Sequence, residues 1–201
     1  MTTFLFIRHG DTDDVDEALA GQIDSPLNAE GFTQAGQLAI ALSHLPIDFI
    51  FSSPLLRARQ TAAPLAKALN LPVAIEPGFN QVNFGKWQGV DFRTLEQDPQ
   101  WQAFQRNPVE MHSPGGDSAV SVLQRVEKTI YSLAEQHPSP ALIAVFTHGS
   151  IVRHSVGAMI SLPLKNFNYL RIAPASVTTL SVKNKTGKLL HLNQQVPVNW
   201  R

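Results

Sequence analysis

The stretch Thr2–Thr12, TTFLFIRHGDT, decides the fold: the apolar run Phe4, Leu5, Phe6 and Ile7 stops abruptly at Arg8, His9 and Gly10. A short apolar run of strand-forming residues, closed by a glycine, reads as a buried β-strand. A strand that ends in a guanidinium and an imidazole puts reactive groups where open α/β sheets bind ligands, outside the carboxyl ends of their strands.

Working outward, the same arrangement recurs. IDFIFSS, at residues 47–53, reads as a second strand. After it a helix over about residues 54–70 opens at Pro54 and carries Arg57, Arg59 and Gln60 in its first turns. Cations beside free helix N–H groups make an anion cradle. ALIAVF, at residues 141–146, is the most hydrophobic strand candidate and runs into Thr147-His148-Gly149, with a helix over about residues 150–160 behind it. Asn28 is placed to cap a helix reaching about His44, residues 73–76 form a short third strand, and residues 79–89 form a structured loop. Gly115-Gly116-Asp117-Ser118 opens a helix to about Gln136 whose Val122, Val126, Ile130 and Leu133 line one face. Residues 176–182 and 189–192 are two final strands joined as a hairpin through Asn184–Gly187.

Alternating strands and helices predict a three-layer α/β/α fold with a mainly parallel central sheet, in a single domain over residues 1–201. Residues 91–115, with Trp101, Phe104 and the interrupting Pro99, read as short amphipathic helices forming a lid or insertion. If the strands ending at His9, Ser53 and His148 are parallel neighbours, their terminal groups meet at one sheet edge.

Composition bounds the function. The 201 residues balance 16 Lys+Arg against 16 Asp+Glu, so no basic surplus recommends nucleic acid. The chain has no cysteine, which removes disulfides, thiolate nucleophiles and Cys-based zinc sites together. No apolar run is long enough for a bilayer, and no basic, apolar and cleavage-site sequence precedes the first strand. The expectation is a cytoplasmic protein without a membrane partner. The acidic run Asp11, Asp13, Asp14, Asp16, Glu17 reads as a solvated loop, because it lacks the glycine that a calcium-binding turn needs.

Two histidines and two arginines converging on one pocket have a definite use. The planar fork of arginine matches phosphate oxygens. A neutral imidazole attacks phosphorus to give a covalent intermediate, and a second one, if protonated, adds positive charge where the transferring group is negative. No metal or other cofactor is called for, and no histidine spacing suggests one. His44, His112, His137, His154 and His191 lack such a context and read as surface or structural residues.

Several motifs, in order, carry a resemblance: RHGDT at residues 8–12, the Gly21–Gly31 segment GQIDSPLNAEG, SSPLLRARQTA at 52–62, FGKWQG at 84–89, GGDS at 115–118 and THG at 147–149. Together they resemble the histidine phosphatase superfamily in its phosphoglycerate-mutase-like branch, above all small bacterial phosphatases of the alpha-ribazole phosphatase kind. The resemblance implies that His9 becomes phosphohistidine while Arg8, Arg57 and His148 hold the phosphoryl group. It places Thr12, Gln81 and Gly149 near the substrate, and Asp11 in the position of a signature glutamate. It implies a metal-independent phosphatase acting on a small phosphorylated metabolite. The alternatives are a protein phosphohistidine phosphatase, a cofactor-dependent phosphoglycerate mutase and a phosphate-binding protein weakened in turnover.

Two departures matter. The family glutamate that protonates the leaving oxygen stands three residues before the Phe-Gly pair, and here that residue is Gln81. An amide is no acid, so the proton comes from another group, with Asp117, Asp13 and Asp14 as candidates, or the substrate has a good leaving group. The second departure is the run Asp14-Val15-Asp16, where the family often has an asparagine. Negative charge there disfavours bisphosphates if it faces the pocket. General acid catalysis contributes roughly 10²- to 10⁴-fold, or about 3 to 5.5 kcal/mol of barrier. Restoring the acid with Gln81→Glu is therefore expected to raise turnover of alkyl phosphates by up to that range and of aryl phosphates far less. An unchanged alkyl rate, with His9→Ala inactive, would overturn the proton-donor argument.

Overall fold

The computed structural model describes residues 1–137 and 139–196. Six strands form one sheet in the order β3-β2-β4-β1-β5-β6: β1 (Thr2–Arg8), β2 (Phe49–Ser52), β3 (Val73–Ile75), β4 (Ala141–Thr147), β5 (Val177–Lys183) and β6 (Thr186–Gln194). The first four are mutually parallel, and β5 and β6 add an antiparallel edge. The helices are α1 (Ala29–Leu42), α2 (Leu56–Leu69), α3 (Phe92–Leu95), α4 (Pro99–Arg106), α5 (Ala119–Gln136) and α6 (Gly149–Ile160). None of them is long and apolar enough to cross a membrane.

The pleat of β1 sorts its side chains onto the two faces of the sheet. Phe4 and Phe6 join Val126 and Ile130 of α5 and Val152 of α6 in one core, whereas Leu5 and Ile7 join Leu38 of α1 and Leu65 of α2 in the other. Every one of these side chains is 5% exposed or less. Strands buried on both faces carry continuous apolar runs, which is why β1 and β4 read so plainly in the sequence.

Both β1 and β4 deliver the chain into the site, but to opposite faces. From β1 the chain leads to α1, which packs against α2; from β4 it leads to α6, which packs against α5. Adjacent parallel strands whose connections diverge open a crevice at their carboxyl ends, the switch point where α/β sheets bind ligands. Residue pairing in register, Arg8 with Thr147, then sets His9 beside His148.

Several boundaries differ from the expected ones. Pro54 precedes α2 rather than opening it: Leu55 is the cap residue, and the Leu56 N–H donates to the Asp24 carboxylate. That N-terminus therefore has a protein anion already at its first turn, and the expected anion cradle there is taken. The hairpin turn is confined to Asn184 and Lys185, with φ of 50° and 58°, so β5 ends one residue later than predicted and β6 runs longer at both ends. Asn28 caps α1 as expected, accepting from Gly31 N–H, and Ser118, the last residue of the segment expected to open α5, caps that helix by accepting from Ser121 N–H.

The start of α1 touches the loop after β1 backbone to backbone. A Cβ on Gly31 would lie 2.2 Å from the Asp11 carbonyl oxygen, and one on Gly10 would lie 2.7 Å from the Gly31 carbonyl oxygen. Neither clash is with a flexible side chain, so the loop itself must move. Gly31→Ala is expected to lower the unfolding free energy by about 1–3 kcal/mol, the usual cost of overpacking, and to reduce turnover as His9 shifts with the loop. Urea denaturation read beside activity checks both effects.

Candidate active site

His9 sits just beyond β1 with its backbone held on both sides. Its N–H donates to the Thr147 carbonyl at 2.8 Å, and its C=O accepts from Ala175 N–H at 3.1 Å. Its Nδ1 lies 2.7 Å from the Gly10 carbonyl oxygen. A carbonyl only accepts, so Nδ1 carries the proton and Nε2 keeps its lone pair. The ring is 5% exposed and lines a cavity of about 450 Å³. Burial first, then the nearby charges of Arg57 and Arg8, hold its pKa well below the usual histidine value. The result is a neutral imidazole with a fixed tautomer, which is the nucleophilic form.

Arg57 is the largest fully buried side chain, 2% exposed on the first turn of α2. Its guanidinium donates through Nη1 to the Ile23 carbonyl at 2.6 Å and through Nη2 to the Gly21 carbonyl at 2.7 Å. Arg8 donates to the Ile172 carbonyl at 2.6 Å, and its buried Nε has no protein partner. Burial lowers both pKa values to about 10, so both remain cations at neutral pH. Their hydrogen-bond partners are carbonyls, while Asp14 and Asp24 near Arg57 and Asp16 and Asp11 near Arg8 offset part of the charge without a direct ion pair. Thr61 ties these elements together: Gly10 N–H donates to its Oγ1 at 2.9 Å, and that hydroxyl donates to the Arg57 carbonyl at 2.7 Å.

His148, wholly buried, lies with its ring 5.3 Å from that of His9. Its Nε2 pairs with the Ser53 hydroxyl at 2.7 Å, and Nδ1 has no protein partner. Burial, together with Arg57 and the other neighbouring cations, pushes its pKa well below the usual value. Burial, and after it the neighbouring cations, favours the neutral form of both rings, so the positive charge that a protonated second histidine would bring comes from Arg57 and Arg8 instead.

The remaining predicted residues separate. Thr12, buried, and Gly149, at the first turn of α6, line the cavity. Gln81 lines it too, with Oε1 accepting from Val82 N–H at 3.0 Å, which leaves the amide nitrogen as a donor. Asp14 and Asp117 both reach the cavity. Asp117 Oδ2 accepts from Asn83 N–H at 2.9 Å and faces Arg125 at 4.0 Å. Asp13 is exposed and lies outside the cavity lining, which weighs against it as the proton donor. The acidic loop, in turn, is more than a solvated connection, since Asp14, Val15 and Asp16 form part of the wall.

Three residues were missed. Ser53 was seen only as part of a strand end. Arg153 and His154 line the cavity from α6, and His154 is 9% exposed, its ring edge-on to Phe167 with centroids 5.1 Å apart. Burial lowers the His154 pKa to about 4. The signal existed: positions 150, 153 and 154 share a helix face, so a helix start at the site carries its next turn there too.

Arg125 holds the floor behind Gln81. Its Nη1 donates to the carbonyls of Gly78 and Asn80 at 3.2 and 2.8 Å. The segment opposite, α3 and α4, contributes Phe92, Trp101 and Phe104 to the cavity wall. Among the described residues no group of three or more His, Asp or Glu side chains is arranged to hold a metal ion.

This geometry has known counterparts. The sequence pattern of the histidine phosphatase superfamily (branch 1) matches residues 4–195. The adenosylcobalamin/alpha-ribazole phosphatase of Escherichia coli is 28% identical over 193 residues, 94% of each chain. Phosphoserine phosphatase 1 of Hydrogenobacter thermophilus is 27% identical over 196 residues, covering 96% of this chain and 92% of its own. The solved structure of the mycobacterial glucosyl-3-phosphoglycerate phosphatase with VO3 superposes with a TM-score of 0.87 at 28% identity, over 95% of this chain and 98% of that one. With a family match over nearly its whole length and phosphatases among its relatives, the chain belongs to the histidine phosphatase superfamily (branch 1) and is a phosphoric monoester hydrolase.

Proposed function

We propose that the protein hydrolyses a small phosphomonoester without a metal ion, through a phosphohistidine on His9. One observation carries this reading: the Gly10 carbonyl accepts a hydrogen bond from Nδ1–H of His9, which leaves the Nε2 lone pair beside two buried guanidiniums. Nε2 attacks phosphorus as the bond to the leaving oxygen breaks, and that oxygen takes a proton from a carboxyl group on the cavity wall. Water then attacks the phosphorus of phospho-His9, gives its proton to the carboxylate so formed, and the N–P bond breaks to release phosphate and restore neutral His9. Arg8 and Arg57 hold the phosphoryl oxygens through donors that their carbonyl partners leave free, and His148 adds a hydrogen bond. Gln81 offers its amide N–H to the phosphoryl group rather than a proton. Residues 91–115 serve as the lid or insertion that shapes the leaving-group end.

The proton donor is the protonated carboxyl group of a residue on the cavity wall, Asp14 or Asp117. Asp14 has no side-chain hydrogen bond among the described residues, whereas Asp117 is already engaged with Asn83 and Arg125, which favours Asp14. Asp14→Asn is expected to slow alkyl phosphate turnover at least tenfold and aryl turnover much less. If Asp117→Asn has that profile and Asp14→Asn does not, the assignment reverses.

The route itself is tested by quenching the enzyme with p-nitrophenyl phosphate in the presence of a chelator. Acid-labile phosphate on the wild type, none on His9→Ala, and undiminished turnover with chelator are expected. A folded enzyme that binds phosphate without label or turnover would be a silent binder, and turnover lost to chelator would end the metal-free route.

The pH dependence has a definite sign. Because the folded pKa of His9 lies well below the ordinary value of about 6.5, kcat/KM is expected to show no His9-dependent fall as pH drops through 6.5. Stability behaves differently. Below about 6.5 the unfolded chain takes up protons that His9 and His148 refuse when folded, so stability falls as pH decreases toward their folded values. Urea midpoints from pH 7.5 down to about 5 check this trend.

A further inference from the structure

Beyond the phosphate end, two segments of the cavity wall are sewn together by backbone. Ala18 and Asp91 form an antiparallel bridge, Phe92 N–H donates to the Glu17 carbonyl at 3.1 Å, and Leu19 N–H donates to the Val90 carbonyl at 3.0 Å. One segment brings Asp14, Asp16 and Leu19 to the cavity; the other brings Phe92, Trp101 and Phe104. The rings form one packed surface, with Trp101 centred 5.6 Å from Phe104 and 6.5 Å from Phe92, and edge-on to Trp87 at 5.3 Å.

The cavity carries charge of both signs, with the carboxylates of Asp14 and Asp16 near enough to act on Arg57 and Arg8. Arg8 and Arg57 surround His9, and Arg153 lies close enough to Arg8 for their charges to interact. Arg153 Nε is committed to the Leu170 carbonyl at 2.8 Å. The acidic loop supplies the opposite sign, with Asp16 held exposed at a φ of 64°. Asp117 lines the cavity as well, so two carboxylates remain beyond whichever one gives the proton.

We propose that the substrate is a monophosphate of an aromatic or bulky apolar alcohol that carries no second anionic group. The proposal rests on the phosphomonoesterase reading above and names its substrate class. A phosphate held by Arg8 and Arg57 directs its ester group toward the rings, where an aryl or alkyl body replaces water with apolar contact. A carboxylate or second phosphate on that body meets the acidic loop and is repelled, whereas an ammonium there is attracted by both carboxylates and ring faces.

Three aryl phosphates of nearly equal leaving-group acidity separate charge from chemistry: 4-ethylphenyl, 4-(2-aminoethyl)phenyl and 4-(carboxymethyl)phenyl phosphate. The expected kcat/KM is highest for the first two and roughly tenfold or more lower for the carboxymethyl compound, the effect of one like-charge approach at cavity distance. Asp16→Asn, a change that the positive φ tolerates, should narrow that gap severalfold, the carboxymethyl compound gaining more than 4-ethylphenyl phosphate. Phe104→Leu should raise KM for the aryl compounds several times more than for methyl phosphate.

A carboxymethyl compound turned over as well as the ethyl one, with that turnover lost in Arg153→Ala, would overturn the proposal in favour of an anion-binding second subsite. Acid-labile label on His9 is read in the same samples. Label with the wrong charge preference overturns this substrate class alone, whereas no label and no turnover with any ester removes the phosphatase route and this inference with it.

Discussion

Parallel pairing of β1 with β4, in the register that sets Arg8 opposite Thr147, is the constraint on which the rest of the site depends. A slip of one residue would turn Phe4 and Phe6 out of the α5–α6 core and Leu5 and Ile7 out of the α1–α2 core, so burial on both faces fixes the register strongly. Because that register is fixed, the residues just past the strand ends are fixed too. The imidazoles of His9 and His148 face one another because the apolar residues behind them have only one way to pack.

The electrostatics follow from the same burial. A buried guanidinium normally needs a carboxylate, yet Arg57 has carbonyl oxygens for hydrogen-bond partners, and the ion pair found among the described residues joins Arg125 and Asp117. The fold thus keeps two cations buried without a direct ion pair, their charge offset in part by Asp14 and Asp16. Burial first, and then the field of these cations, keeps both histidines neutral, which gives a nucleophile at one strand end and a hydrogen-bonding ring at the next. Unsatisfied positive charge costs stability when the site is empty and strengthens an arriving phosphate, an arrangement already in place before reaction.

The leaving-group end is built on a different principle. There the chain departs from its family pattern at Gln81 and in the acidic loop, and tertiary contacts join that loop to the aromatic segment at Ala18 and Asp91. Neither segment alone makes a wall. Local sequence did show the parts: aromatic residues in short helices, and carboxylates in a row. That Asp14 and Asp16 reach the cavity while Asp13 is exposed outside its lining depends on the path of one loop, including a positive φ at Asp16 that no periodicity encodes.

The sequence by itself determined the order of strands and helices, the cap at Asn28, the sheet class and the proposed cluster of His9, Arg8, Arg57 and His148, because apolar periodicity and strand-end position are local properties. Tertiary structure alone decided the protonation of His148, the filling of the α2 start by Asp24 and the entry of Arg153 and His154 into the site. Each of those depends on burial or on partners far along the chain. Leu56 meets Asp24 only after α2 docks, and His148 is neutral only because the folded sheet buries it beside Arg57. A nucleophile's position is written in a strand, whereas its charge and its leaving group's surroundings belong to the packed molecule.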